Sequence, residues 1–113
     1  MANVLPSLRE KKRYLVFEVI GSDARCSEAV DALKSVFASF FGALEFSGAA
    51  IRAVRSSAGR CVVCVNRAYV DKVVASLALV KRLRNVPVVL RSVGVSGSLR
   101  AAASRYLIER GVM

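Results

Sequence analysis

Apolar and polar positions along this chain change period several times, and each change marks an element. From Tyr14 to Ile20 the run Y-L-V-F-E-V-I is apolar at nearly every position, which predicts a strand buried on both faces. Leu15, Phe17 and Val19 point to one side of such a strand, and Tyr14, Val16, Glu18 and Ile20 to the other. Gly21-Ser22-Asp23 predicts a turn. A helical period follows, with Ser27 as N-cap, Glu28 and Asp31 near its positive end, and Ala29, Leu33, Val36, Phe37, Phe40 and Leu44 as its buried stripe. Gly42 is placed near the end of that helix. Strands are expected over Ala49–Ser56 and Arg60–Val65, joined through the turn Ser56-Ser57-Ala58-Gly59 as a hairpin. Asn66 is the expected N-cap of a second helix, whose stripe is Val70, Val73, Val74, Leu77 and Val80 and whose end carries Lys81, Arg82 and Arg84. Pro87 closes that segment, and a fourth strand runs from about Val88 to Val95. Ser96-Gly97-Ser98 opens a third helix with Leu99, Ala103, Tyr106 and Leu107. Strand, helix, hairpin, helix, strand is the split βαβ, ferredoxin-like order. The expected fold is α+β: a four-stranded antiparallel sheet with two packed helices plus a C-terminal helix, in a single domain spanning residues 1–113.

Both faces of this sheet read as apolar. Cys61, Val63 and Val65 alternate with Val62 and Cys64, just as the two sides of the first strand do. Two helices cover one face. The other needs the third helix, a partner, or both, and a hydrophobic fraction of 55% favours a partner's share. Tyr14, Val16, Ile20, Val62 and Cys64 are the expected partner interface.

Charge changes the picture. The chain carries 18 basic and 8 acidic residues, a net charge of +10, which points to a polyanion or an anionic surface as partner. The cations concentrate in an N-terminal arm, residues 1–13, that runs straight into the first strand: Arg9, Lys11, Lys12 and Arg13. Arg52, Arg55 and Arg60 lie around the hairpin. Ser96, Gly97, Ser98 and Arg100 combine hydroxyls, a helix start and a guanidinium, which suit a phosphate, although serine and glycine also serve as an ordinary cap and turn. These eleven residues are the expected RNA contacts. Cations near Lys81–Arg84 have a plainer role opposing a helix dipole.

Candidate chemistry is sparse. There is no histidine, the eight carboxylates are scattered, and neither G-x-x-x-x-G-K nor G-x-G-x-x-G occurs. Arg25 and Asn66 match the residue types of an acylphosphatase site, but its phosphate-cradling glycine loop is missing. The third strand has no aromatic residue, so the sheet cannot stack bases as an RNA recognition motif does. Cys26, Cys61 and Cys64 are expected to act as small apolar side chains, with no disulfide. Cys61 and Cys64 fall on opposite faces of a strand and cannot share a metal. No catalytic or metal-ligating residue is assigned. No run approaches the ~20 apolar residues of a membrane span, and the N-terminus has no signal-peptide pattern, so a cytoplasmic location without membrane contact is expected.

The segment L-P-S-L-R-E-K-K-R-Y, Leu5 to Tyr14, running into Phe17-Glu18, resembles the start of archaeal ribonuclease P protein component 2, whose eukaryotic relative is a subunit of nuclear ribonuclease P and MRP. Val95-Ser96-Gly97-Ser98-Leu99-Arg100 is similar to that family's S-G-T-hydrophobic-basic signature, with Ser98 in place of threonine. The resemblance implies a ferredoxin-like sandwich in a ribonucleoprotein that removes 5′ leaders from precursor tRNA. It implies catalysis by the RNA with magnesium ions, no cofactor on this chain, and ribonuclease P RNA, protein component 3 and other holoenzyme subunits as partners, with precursor tRNA contacted indirectly. A ferredoxin-like protein-interaction module without RNA binding is the alternative; a small-molecule-binding domain lacks a convergent polar set.

Overall fold

A computed structural model describes residues 11–21, 25–57 and 59–107. The elements, in order, are β1 (Lys12–Ile20), α1 (Cys26–Ala49), β2 (Arg52–Ser57), β3 (Arg60–Asn66), α2 (Val70–Leu79), the two-residue strands β4 (Arg82–Leu83) and β5 (Val86–Pro87), β6 (Val89–Ser96) and α3 (Leu99–Ala102). A 3-10 turn at Arg67–Tyr69 leads into α2, and a π-helical turn at Ala103–Leu107 continues α3. The main sheet has the order β2-β3-β1-β6, with antiparallel pairing throughout. This is the expected α+β, ferredoxin-like arrangement, with the two longest apolar strands at its centre.

β1 is buried on both sides because its neighbours are apolar on both sides. Leu15, Val16 and Phe17 are each 0% exposed. Leu15 and Phe17 join Cys61, Val63 and Val65 beneath α1 and α2, where Ala29, Val30, Leu33, Phe37, Val73 and Leu77 complete the larger core. Val16 and Val62 face the other way and pack under Ala102 and Leu107, with Tyr14, Val54, Val93, Leu99 and Tyr106 around them. The expected alternation of faces therefore holds, and so does the separation of Cys61 from Cys64.

The cover of the second face differs from expectation. Val16 and Val62 are fully buried because the third helix folds back across the sheet, and Cys64 is 2% exposed. These three side chains offer a partner no surface; of the expected interface, Tyr14 is half-buried and Ile20 exposed.

Other expectations are corrected too. The N-cap of α1 lies two residues earlier than expected: it is Arg25, its N–H donating to the Glu28 carboxylate at 3.0 Å, and Ser27 is already inside. Gly42 does break the helix where an end was expected, with φ 91° and ψ 166°, angles that glycine adopts without a Cβ penalty, but a further helical segment follows it to Ala49. The second strand consequently starts at Arg52 rather than Ala49. The aromatic stripe runs through Phe41, one turn on from Phe37, and not through Phe40. Phe41 and Phe46 pack on Phe37, at centroid distances of 4.9 and 6.4 Å, while the expected core residues Phe40 and Leu44, the latter beyond the kink, are 64% and 85% exposed. Asn66 does not cap α2; its side-chain amide, 3% exposed, donates to the Gly48 carbonyl at 2.9 Å. α2 ends at Leu79, so Lys81–Arg84 belong to a small hairpin. Its tip, Arg84 and Asn85, has positive φ at both residues, the pattern of a type I′ turn.

Cys26 and Cys61 form a disulfide, which overturns the expectation of three free thiols; Cys64 is free and buried. The bond ties the start of α1 to the start of β3 across 35 residues. Thiol titration in denaturant without reductant should count one reactive cysteine, and three after reduction. Replacing both bridged cysteines by alanine should lower unfolding stability by about 3–4 kcal/mol, since a loop of that length is released in the unfolded chain; an unchanged denaturation midpoint in oxidising buffer would contradict the bridge.

Candidate nucleic-acid interface

The sheet register gathers cations that lie far apart in sequence. Arg52 on β2 pairs with Cys64 on β3, Cys64 with Tyr14 on β1, and Tyr14 with Ser96 on β6. One row thus runs from Arg52 to the Ser96-Gly97-Ser98 segment, about 14 Å across three strand spacings. Lys12 and Arg13 sit at the same end of β1, opposite Asn66 and Val65. The Arg67 N–H donates to the Lys11 carbonyl at 2.7 Å, which anchors the arm's first described residue and brings Arg67 to the same rim. The Arg13 guanidinium reaches toward β6, since Nη1 lies 4.0 Å from where a Cβ on Gly97 would stand. Lys11, Lys12, Arg52, Arg67 and Arg100 are exposed and Arg13 is half-buried. Among the described residues none of these six forms an ion pair with a carboxylate.

The other end of the sheet is different. Glu18, five residues further along β1, pairs with Arg60 on β3 and with Arg91 on β6. Its carboxylate is the one acid of the strand, and both neighbours supply a guanidinium to it. Arg60 also donates through Nη1 to the Tyr106 carbonyl at 2.6 Å. Glu28 is paired with Arg84, and Glu45 with Lys72, whose ammonium also lies 5.5 Å from the centroids of the Phe41 and Tyr69 rings. Glu18 and Glu28 thus lie at the end of the sheet opposite the Arg13–Ser96 rim, whereas Glu45, three residues before Gly48, is on the helical side of the rim's end with its carboxylate engaged by Lys72.

The expected RNA contacts accordingly divide. Lys11, Lys12, Arg13, Arg52, Ser96, Gly97, Ser98 and Arg100 come together. Arg55 lies two rows further in, in the row of Val62, Val16 and Gly94. Arg60, also an expected RNA contact, is at the opposite end, with Nε on Glu18 and Nη1 on the Tyr106 carbonyl, and is not brought into this group. Arg9 lies outside the described residues. Ser98 is the N-cap of α3, its hydroxyl accepting from the Ala101 N–H at 3.1 Å. Arg67 was missed, although its position just past the apolar third strand marks the same sheet end as Lys12. Among the described residues no group of three or more metal-binding side chains exists, and no helix is long and apolar enough to cross a membrane.

Comparison with known proteins matches residues 13–107 to the model of the Rpp14/Pop5 family. The chain belongs to that family. This member is 34% identical over 113 residues to ribonuclease P protein component 2 of Methanosarcina mazei, a match covering 99% of the chain and 97% of that relative. It is 31% identical to the protein of the same name from Archaeoglobus fulgidus, over 95% of the chain and 98% of the relative. A chain in the cryo-EM structure of yeast ribonuclease MRP superposes with a TM-score of 0.56 at 16% identity, covering 81% of this chain and 78% of that one; that likeness supports the fold. The Rpp14/Pop5 match takes in Arg13, Arg52, Arg67 and the Ser96–Arg100 segment, so most of the cationic rim lies within the family's common span.

Free and paired cations should separate on a polyanion column. Replacing Arg52 or Arg100 by alanine should make the protein elute from heparin at lower salt. Replacing Arg84, whose charge faces Glu28, should shift elution distinctly less. Equal shifts for all three would mean that binding follows net charge and not the rim.

Proposed function

We propose that this chain is a protein subunit of ribonuclease P, that it grips the RNA of that ribonucleoprotein through the Lys11–Arg13, Arg52 and Ser96–Arg100 rim, and that hydrolysis of the precursor tRNA 5′ leader is left to the RNA and its magnesium ions. The convergence of those cations at one end of the sheet, with no carboxylate paired to them among the described residues, carries this reading. Family membership and the component 2 relatives support the ribonuclease P assignment. The rim supports RNA contact because several guanidinium and ammonium groups spread over about 14 Å match a ribose-phosphate chain better than a single small anion.

The mode of contact follows from the covered sheet. α3 occupies the face on which a recognition motif would stack bases, and β3 carries no aromatic side chain. Contacts are therefore with phosphates and with RNA shape, which position the molecule and carry little sequence information. Protein component 3 and other subunits of the particle are the expected protein partners.

The test is the salt dependence of affinity for a ribonuclease P RNA transcript. Wild-type affinity should fall steeply between ~50 and ~200 mM salt. Replacing Lys11, Lys12 and Arg13 together by alanine should reduce the magnitude of the log–log slope by about 2–3, close to one per lost phosphate contact. In the reconstituted particle the same variant should slow leader cleavage at low magnesium. A wild-type protein whose RNA affinity does not respond to salt would refute the RNA reading and leave a protein-interaction module.

A further inference from the structure

The third helix is described over Leu99–Leu107, four α-helical residues and a five-residue π turn. Ser98 caps its start, the hydroxyl accepting from the Ala101 N–H. Further along, the Tyr106 carbonyl accepts a hydrogen bond from Arg60 Nη1 at 2.6 Å, which ties the helix to the sheet. Glu18 Oε1 lies 3.4 Å from Nε of the same guanidinium, and Arg91 completes the group from β6. The Arg60 side chain is 28% exposed, against 61% for Arg91. A planar guanidinium suits this double engagement, because its donors diverge at fixed angles.

A second contact fixes the same residue from the other side. The Tyr106 ring lies directly on the backbone of Gly94 in β6. A Cβ at Gly94 would stand 2.6 Å from Cε1 of the ring and 2.5 Å from its hydroxyl oxygen, closer than side chains approach. Gly94 is thus required for the ring's position, while Arg60 holds the main chain. The remaining hold on the helix is apolar, through Ala102 and Leu107 on Val16 and Val62. Arg100 and Arg105, both exposed, are carried on this helix.

We propose that Arg60, oriented by Glu18, is a positioning residue that latches the third helix to the sheet, with Gly94 as its complement, and that RNA affinity depends on this latch because it holds Arg100 in place beside the cationic rim. The inference rests on the RNA-binding reading above and assigns Arg60 no phosphate contact.

The measurement pairs two readouts on the full-length protein. The first is affinity for a ribonuclease P RNA transcript over a series of salt concentrations. The second is the rate at which a thiol reagent modifies Cys64, the free cysteine, which alternation places on the same face as Val62. Arg60→Met and Gly94→Ala should each weaken RNA binding by about tenfold, as expected for loss of a charge-assisted contact or its equivalent, at every salt concentration and with the slope unchanged. Both should speed Cys64 modification by a similar factor without RNA present. Arg100→Ala should instead lower the slope by about 0.7–0.9 and leave Cys64 protected. Should Arg60→Met lower the slope as Arg100→Ala does, Arg60 is a phosphate contact and the latch is wrong. Gly94→Ala changes no charge and answers the question if Arg60→Met does not fold; wild-type affinity and wild-type Cys64 protection in it would overturn the proposal. Faster Cys64 modification in both variants, in a protein that binds no RNA, would keep the latch and discard the RNA reading.

Discussion

One strand with no free side sets the terms for this molecule. β1 has consecutive residues, Leu15, Val16 and Phe17, fully buried on alternating faces, and hydrogen-bonded neighbours on both edges. Each such side chain contributes about 1.5–3 kcal/mol only if its face is covered, so the strand requires two layers of cover and not one. The layer of α1 and α2 satisfies Leu15 and Phe17. Val16 and its neighbour Val62 would lie bare without residues 99–107. The third helix is therefore held chiefly by the hydrophobic demand beneath it, and the Arg60–Tyr106 hydrogen bond helps decide where it sits.

Glu18 follows from the same constraint. A carboxylate inside a nearly apolar strand is costly unless charged donors reach it, and each flanking strand supplies one. The pairing cross-links β3, β1 and β6 at one end of the sheet. It also uses up cationic charge there, which leaves the opposite end as the one where arginine and lysine remain available. The asymmetry of the rim thus begins with a single acidic residue in β1.

Alternation and helical spacing were enough to place the strands and to divide Leu15 from Val16 and Cys61 from Cys64, because a buried face imposes its period on the chain. Periodicity reports that a face is covered, however, and not by what. That is why Val16 and Val62 read as a partner's surface when the chain's own third helix lies over them. Phe40 and Phe41, three and four residues on from Phe37, are equally compatible with one helical stripe, and only the packing shows that Phe41 takes the core side. Leu44 lies beyond the break at Gly42, and a positive φ leaves no local pattern beyond the glycine itself. The Cys26–Cys61 bridge was hidden for a related reason: it depends on where the start of α1 meets β3, a tertiary fact. The rim was half legible. Lys11–Arg13 and Ser96–Arg100 stand out as segments, but antiparallel pairing of Tyr14 with Ser96 is what unites them. Arg60 looks the same in sequence as Arg52, and the visible hint that it is engaged was an unpaired Glu18 in an apolar run.

Covering the second face has a consequence for the kind of ligand the fold can take. An open four-stranded sheet of this topology offers a flat surface on which bases can stack, and aromatic residues on its central strands make it selective for unpaired nucleotides. Here valines and an alanine-rich helix fill that surface, so nucleic acid is left with strand ends and the exposed side of α3. Cations at a rim can follow a phosphate path but cannot read bases in its interior. On the proposed RNA reading, discrimination comes from the spacing of charges against the shape of a folded RNA, and spacing is only as good as the rigidity of the elements that carry it. A cover helix packed on Val16 and Val62 and tied to Arg60 would keep that spacing fixed, so the two valines would matter to binding although neither can touch a ligand.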